Sequence, residues 1–463
     1  MNHEGIKVVA ALLCLLLAGC ALNQAREVQT YRNVLDENTT KAAAGVYTPK
    51  SPIRLKDALR LANANNEQLA ISGENYLQAL INKDRAFSSF LPVIAFTPTY
   101  MQQEKTSIDA SNPLIRQFEP ESARDLQLQG SANLSPFQDV PAVWSASAEA
   151  RRQKALLKDR REVVLLDVAQ TYYQIMHAEQ QAQVLKHSVE LQDQSLKDMQ
   201  LRFQAGTVAP LDVAQTEAQL AGTRTSRIQA DNDVRNGRAM LAMLTGVPSV
   251  EGALTGGFAA PAVHPDISSL MTLAEAHRPD LLAAREQVAA AASRLEAAWG
   301  RYFPSVSLNL TRYLSRETFP SDSDWTSLIQ VHIPIFTAGL VYEDVRTAYS
   351  QLRQAHLVES WVQKQILKDI RTTLEDFTDA QKRLHERDIQ VKAGKEALNH
   401  AESAYKAGVG TNLDRIAAQD VLLKAELGRT DEQFNLDIAY LRLLRFTGVM
   451  TPDLKETLKG QAD

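Results

Sequence analysis

Two periodicities alternate along the chain: strict polar–apolar alternation, which marks short strands, and apolar steps of three and four, which mark helices. Ser305-Val-Ser-Leu-Asn-Leu-Thr311 alternates without error. Between Leu126 and Leu134, Gln127, Gln129, Ser131 and Asn133 share one face, and Leu126, Leu128, Ala132 and Leu134 share the other. Ile329, Val331 and Ile333 alternate with Gln330 and His332. Val93 to Tyr100 is a weaker strand, because Pro98 removes a ladder donor. Strands of about 9–11 residues with one apolar face suit a lipid-facing barrel with a wet interior. A soluble half-buried sheet has the same pattern.

The helical pattern dominates the rest. Helices are predicted at about 52–89 and 267–301, each stopping at an aromatic or apolar pair followed by Pro, which disfavours helix in the residue before it. Very long helices follow at about 139–205 and 339–407, with return helices at 210–245 and 412–447. A helix of about 66 residues is about 100 Å long at 1.5 Å per residue. That length calls for coiled-coil packing, and Val168, Tyr172 and Ile175 step by four and three as a seam requires. Ile370, Leu374 and Phe377 repeat the step 202 positions later.

The chain is a tandem duplication. Phe203-Gln-Ala-Gly-Thr-Val-Ala-Pro-Leu-Asp212 matches Tyr405-Lys-Ala-Gly-Val-Gly-Thr-Asn-Leu-Asp414, and Gly206 and Gly408 lie 202 positions apart. Leu244-Thr-Gly-Val247 and Phe446-Thr-Gly-Val449 keep that offset. Upstream, Phe90-Leu-Pro92 pairs with Tyr302-Phe-Pro304, and Leu61-Ala62 with Leu273-Ala274, at an offset of 212. The expected organisation is a signal peptide at 1–19, an acylated N-terminal extension at 20–51 and repeat one at 52–248. A Gly/Ala/Pro-rich linker at 249–266, repeat two at 267–450 and a tail at 451–463 complete it. The fold class is mainly α with a small β part: long coiled-coil hairpins and four strands. Four strands cannot close a barrel, and open edges cannot stand in lipid. If these strands span a membrane, several chains must pool them.

The N-terminus changes the picture. Residues 8–17 form a short apolar run behind Lys7, too short to span a bilayer and suited to a secretory signal. It ends in Leu17-Ala18-Gly19-Cys20, which resembles the lipobox of bacterial lipoproteins and implies acylation at Cys20. Ala21 and Leu22 follow, without an Asp directly after the Cys, which by the same resemblance favours the outer membrane. Beyond residue 22 no apolar run is long enough for a transmembrane helix. The only other cysteine is Cys14, so there is no disulfide framework and no thiolate metal site. The formal charge of −5 gives no sign of a nucleic-acid partner. The nine His have no metal-ligand spacing, and no phosphate loop, nucleophile elbow or ATPase motif is present. No cofactor, metal or catalytic site is expected.

The two turns carry the candidate site. Gly206 and Gly408 suit the left-handed position after a helix end. Thr411 suits an N-cap with Asp414 at N3, close to a capping box. In the first turn Ala209 has no cap oxygen, and Pro210 and Asp212 compensate in part. Asp212 and Asp414 are also what an ordinary helix start needs.

The duplication, the element order and a Tyr/Phe-x-x-Gly-x-x-x-x-Leu-Asp turn in each repeat resemble the TolC-like outer-membrane efflux protein family, over about 52 to 450. The lipobox points to its lipoprotein branch. The resemblance implies a homotrimer with a shared β-barrel in the outer membrane, continued by a periplasmic α-barrel. It implies an exit duct of a tripartite efflux or type I secretion system, with a periplasmic adaptor and an inner-membrane pump as partners. It places the periplasmic tip and gate at Gly206, Leu211 and Asp212, and at Tyr405, Gly408, Leu413 and Asp414. Arg415 beside Asp414 is a candidate for a closing ion pair. Six such carboxylates around a trimer's axis would attract cations and raise one another's pKa, while the helix starts would oppose that rise. The family's second acid, three residues after the Asp, is Ala417 here. The rival reading is a periplasmic adaptor or coiled-coil scaffold lipoprotein, which predicts one hairpin flanked by Gly/Val-rich β modules.

Overall fold

The computed structural model describes residues 23–36, 47–103, 122–256 and 266–451. The Leu17–Cys20 motif, most of the 105–123 loop, half of the 249–266 linker and nearly all of the 451–463 tail lie outside the described residues. The chain divides into two compact units that cut across the repeats: one from residues up to 74, 156–280 and 363 onward, the other from 75–155 and 281–362.

In chain order the elements are α1 (Gln24–Leu35), β1 (Ile53–Arg54), α2 (Leu55–Asn65), α3 (Glu67–Ser88), β2 (Val93–Gln102), β3 (Ser122–Leu134), α4 (Pro136–Gln204) and α5 (Pro210–Thr245). Then come β4 (Leu254–Thr255), α6 (Ile267–His277), α7 (Pro279–Gly300), β5 (Ser305–Arg316), β6 (Trp325–His332), α8 (Leu340–Lys406) and α9 (Asn412–Phe446). The two long helices have 69 and 67 residues. Among the described residues no helix is long and apolar enough to cross a membrane.

The second unit holds one antiparallel sheet in the order β2-β3-β5-β6. Register aligns the alternation across all four strands. Phe96 faces Leu128, Ala132 faces Leu308, and Leu308 faces Ile329, so the apolar residues share one side. Gln129 faces Thr311 and Ser307 faces Gln330 on the other. The apolar side is bare: Ile94 is 69% exposed and Ile329 68%. Among the described residues neither β2 nor β6 has a second strand beside it. A bulge at Leu126/Gln127 re-registers β3 against β5 near Tyr313. Tyr100, Phe319 and Trp325 are exposed near strand ends.

The first unit contains the hairpins and the core. Val168, Tyr172, Ile175 and Ile370 are fully buried, Phe377 nearly so, while Leu374 is half-buried. Phe377 and Ala380 pack on Leu436, Ala439, Tyr440 and Leu444, and Leu185 packs on Ala230 and Leu423. Three features depart from the expected elements. The first helix of each repeat is broken in two, at Asn66 and at the Arg278–Pro279 step. At the first break the Asn66 side-chain oxygen accepts from the amides of Gln68 and Leu69, and its amide donates to the carbonyl of Leu244. The linker is not all loop: β4 pairs in parallel with β1, and the Tyr172 hydroxyl donates beneath them to the carbonyls of Ile53 and Thr255. Burial pushes that phenol up to about 12, which keeps it a donor. The N-terminal extension contains α1, capped by Asn23, with Tyr31 packed where a Cβ on Gly73 would fall 2.4 Å from its ring.

The repeated Thr-Gly-Val motif now has a reason. Thr245 and Thr447, both fully buried, hydrogen-bond back to the carbonyls of Leu241 and Leu443. Gly246 and Gly448 follow with φ of 65° and 74°. A Cβ on Gly246 would lie 2.7 Å from Asn65, and one on Gly448 would lie 2.7 Å from the backbone of His277. Each return helix therefore ends hard against the helix break of its own repeat.

Candidate functional site

Both hairpin tips lie in the first unit. At the first, Gly206 takes φ 70° and the Thr207 amide donates to the carbonyl of Arg202, closing the end of α4. Asp212 accepts from the Ala209 amide at 3.2 Å, one half of a capping box whose other half Ala209 has no oxygen to supply. At the second, Gly408 takes φ 74°. Thr411 Oγ1 accepts from the Asp414 amide, while Asp414 Oδ2 accepts from the Thr411 amide at 2.9 Å and its hydroxyl at 2.6 Å. Those bonds from Thr411 hold the Asp414 carboxyl below the usual range. Within one chain this is the helix-start effect, and it runs against the rise that a ring of like charges would produce.

Leu211, Leu413 and Val409 project from the tips, 65%, 61% and 83% exposed. Tyr405 and Arg415 turn inward. Two guanidinium groups lie over the ring of Tyr405, Arg202 at 4.9 Å and Arg415 at 4.5 Å from its centroid, and its hydroxyl reaches Met199 Sδ at 3.6 Å. Arg415 is buried and does not pair with Asp414. It donates to Asn412 Oδ1 at 3.0 Å and lies 3.9 Å from Asp198, which also holds Arg202 at 3.0 Å. This corrects the closing pair expected from the sequence: the Asp414 carboxylate is already occupied at the helix cap, and Arg415, one residue on, points to a different face.

Asn412 ties the tips together. Its Nδ2 donates to the carbonyl of Asp212 at 3.4 Å and to Thr216 Oγ1 at 3.2 Å. Two turns further along, Gln419 donates to Ser195 Oγ at 3.3 Å. Asp198, Arg202, Asn412 and Thr216 escaped sequence reasoning. The only signal was the i,i+4 spacing of Asp198 and Arg202, which is common on any exposed helix. The cluster offers hydrogen bonds, two cation–π contacts and two helix-capping carboxylates, and no group placed as a nucleophile or general base. Among the described residues no cluster of three His, Cys, Asp or Glu is arranged to hold a metal ion.

Comparison with known proteins gives a consistent picture. A family model described as outer membrane efflux protein matches residues 58–247 and 270–449. The chain is 26% identical over 321 residues to the probable outer membrane lipoprotein SilC of Salmonella typhimurium, spanning 66% of each chain. It is 21% identical over 415 residues to the outer membrane protein TolC of Vibrio cholerae, spanning 86% of this chain and 91% of that one. In fold it resembles the Campylobacter jejuni CmeC outer membrane channel, with a TM-score of 0.76, 17% identity and 88% of both chains covered. It also resembles the open state of the Neisseria gonorrhoeae MtrE outer membrane channel, with a TM-score of 0.75 and 19% identity over 87% of this chain and 91% of that one.

Proposed function

The chain belongs to the outer membrane efflux protein family, and from that premise we propose that it forms, as a homotrimer, the exit duct of a tripartite efflux or type I secretion system. The family is one of channels, not of enzymes. The duct sits in the outer membrane and extends into the periplasm, held also by acyl chains on Cys20. A periplasmic adaptor meets the hairpin tips, and an inner-membrane pump supplies the energy. Gly206, Leu211 and Asp212 with Tyr405, Gly408, Leu413, Asp414 and Arg415 form its periplasmic tip and gate.

One observation carries this reading: a four-stranded sheet with an exposed apolar side and two strands that, among the described residues, lack an outer neighbour. Unpaired backbone groups cannot stand in lipid, and the smallest membrane barrels need about eight strands. Three copies joining β6 to the next β2 give about twelve strands and leave no edge. The rival adaptor or scaffold needs a single hairpin between β modules, whereas this chain has two hairpins in equivalent repeats.

The test is the mass of the detergent-solubilised particle, with its secondary structure followed by circular dichroism. Three chains per particle are expected. A monomer with intact helix and strand content would overturn the proposal.

A further inference from the structure

Within the second unit, the apolar side of the sheet carries two charged residues, and both are arginines. The register puts Arg124 opposite Tyr100, on the side of Phe96 and Leu128. It puts Arg312 opposite Leu128 and Trp325, on that same side. The only acid in the four strands, Asp125, faces Arg316 on the polar side. Helices enter β2 and β5, and leave β3 and β6, at one end of the sheet. Arg124, Arg312, Tyr100 and Trp325 all lie toward the other end, which in a duct with periplasmic helices is the outer one.

Their depth fits a membrane boundary. From Leu126 to Leu134 the apolar side of β3 has no charge, a rise of about 27 Å at about 3.4 Å per residue, or about 20 Å of height in a barrel tilted by about 45°. The apolar band of such barrels is about 25 Å tall. Arg124 lies two residues past that stretch. A charge facing lipid is costly at mid-depth and tolerated at the headgroups. Tyr100 and Trp325, both exposed, are residue types that settle at the same level. Among the described residues neither guanidinium has a strong acidic partner. Arg124 lies over the ring of Tyr100, 5.5 Å from its centroid. Arg312 reaches Asp324 only at 3.7 Å, and both side chains are exposed, so the pair is weak. A guanidinium fork grips two oxygens of one phosphate. The two arginines stand on neighbouring strands, four residues apart in register, which separates their Cα atoms by about 14 Å. That span suits two phosphates at the ends of a disaccharide rather than one phosphate ion.

We infer that Arg124 and Arg312, flanked by Tyr100 and Trp325, form a binding site on the lipid-facing side of the sheet for the phosphorylated sugar headgroup of an outer-leaflet glycolipid. This rests on the duct reading above.

Full-length protein in detergent, titrated with bisphosphorylated lipid A and followed by native mass spectrometry, tests it. Wild type should bind this lipid on the order of tenfold or more tighter than its fully dephosphorylated form, as charge-assisted hydrogen bonds require. That arm needs no variant. Arg124→Gln and Arg312→Gln should each weaken binding on the order of tenfold. The double variant should bind lipid A no better than wild type binds the dephosphorylated lipid. Arg316→Gln removes the same charge from the polar side and should bind as wild type does. The mass and circular dichroism of each particle, taken on the same samples, separate lost binding from lost folding. Equal binding of the two lipids by wild type overturns the inference, and so does a folded double variant that binds as wild type. An equal loss in Arg316→Gln, or full displacement of lipid A by inorganic phosphate, also overturns it. A wild-type trimer that fails these tests leaves the duct reading standing. A wild-type monomer removes the duct reading, and this one with it.

Discussion

Arg415 lies over the ring of Tyr405, its guanidinium carbon 4.5 Å from the ring centroid, and faces away from the acid that precedes it in the chain. Arg202 lies 4.9 Å from the same centroid. Two hairpins thus meet at one aromatic residue. Arg415→Ala removes this cover and leaves Asn412 Oδ1 without its donor, a loss of about 1–3 kcal/mol. Arg415→Lys should recover only part of it, since an ammonium cannot spread over a ring as a guanidinium does. Denaturant unfolding of the solubilised protein measures both, and a Lys variant as stable as wild type would argue against the stacking account.

Asp414 should be the stronger of the two tip acids in its effect on cations, because it is exposed at its tip whereas Asp212 is half-buried. Block of the pore by a trivalent cation is expected to weaken more in Asp414→Ala than in Asp212→Ala. The sign with pH follows from the lowered pKa of Asp414. The cap's contribution is fully present above the unfolded value of about 3.9 and is lost as pH falls through the lower folded value. Amide exchange in the first turn of α9 should therefore stay slow down to about pH 4 and quicken below it. Equal block in the two variants would return Asp414 to a purely structural cap.

Gly246→Ala and Gly448→Ala should each destabilise the first unit by more than about 1 kcal/mol, since both positions have positive φ and no room for a Cβ. Melting temperatures of the two variants are the measurement. Gly206→Ala makes a useful contrast: its φ is also positive, but the space around it is open, so only the backbone strain remains.

Glu162 sets a dependence on pH in the opposite sense to Asp414. It is buried against Arg445, with Asp159, Arg161 and Asp280 nearby, and burial pushes its carboxyl up to about 8. Arg445 also donates to Asp159. A raised folded value means the folded state holds its proton longer. The first unit should therefore lose stability as pH rises from the ordinary glutamate value of 4.5 toward about 8. Glu162→Gln should flatten that decline in melts taken across the interval; an unchanged slope would place the titration elsewhere.

Cys20→Ser should abolish incorporation of labelled fatty acid while leaving a folded trimer, because a closed barrel supplies its own hold on the bilayer. A wild-type chain that takes up no label would remove the lipid anchor from the account.

Much of this fold is legible in the sequence itself. Alternation marked Ser305 to Thr311 as strand and the Pro after Phe90-Leu and Tyr302-Phe marked the helix ends, because both signals are local and strong. The break after Arg278 carries the same signal in Pro279, whereas the break at Asn66 is not legible in the sequence. Asn66 belongs to a continuous helical pattern, and what ends the helix there is a contact with Leu244, far away in sequence. The β1–β4 pair was hidden for the same reason: two residues on each side carry no periodicity, and the phenol of Tyr172 that joins them looked only like part of a seam. At the tips, caps are written in adjacent residues and were legible. The turn of Arg415 away from Asp414 depends on Tyr405 and Asp198, which no spacing rule connects to it.

The constant offset of 202 between the Thr-Gly-Val motifs makes the molecule its own control experiment. Any change at Gly246 can be repeated at Gly448 with the same residue, the same torsion and the same kind of neighbour. Whatever difference survives that exchange measures where the residue stands in the assembled particle, not what it is. The same design gives selection two places to try each innovation. In the proposed trimer, a change in one copy would reach three of six like positions, so half of them could drift while the other half preserves the original.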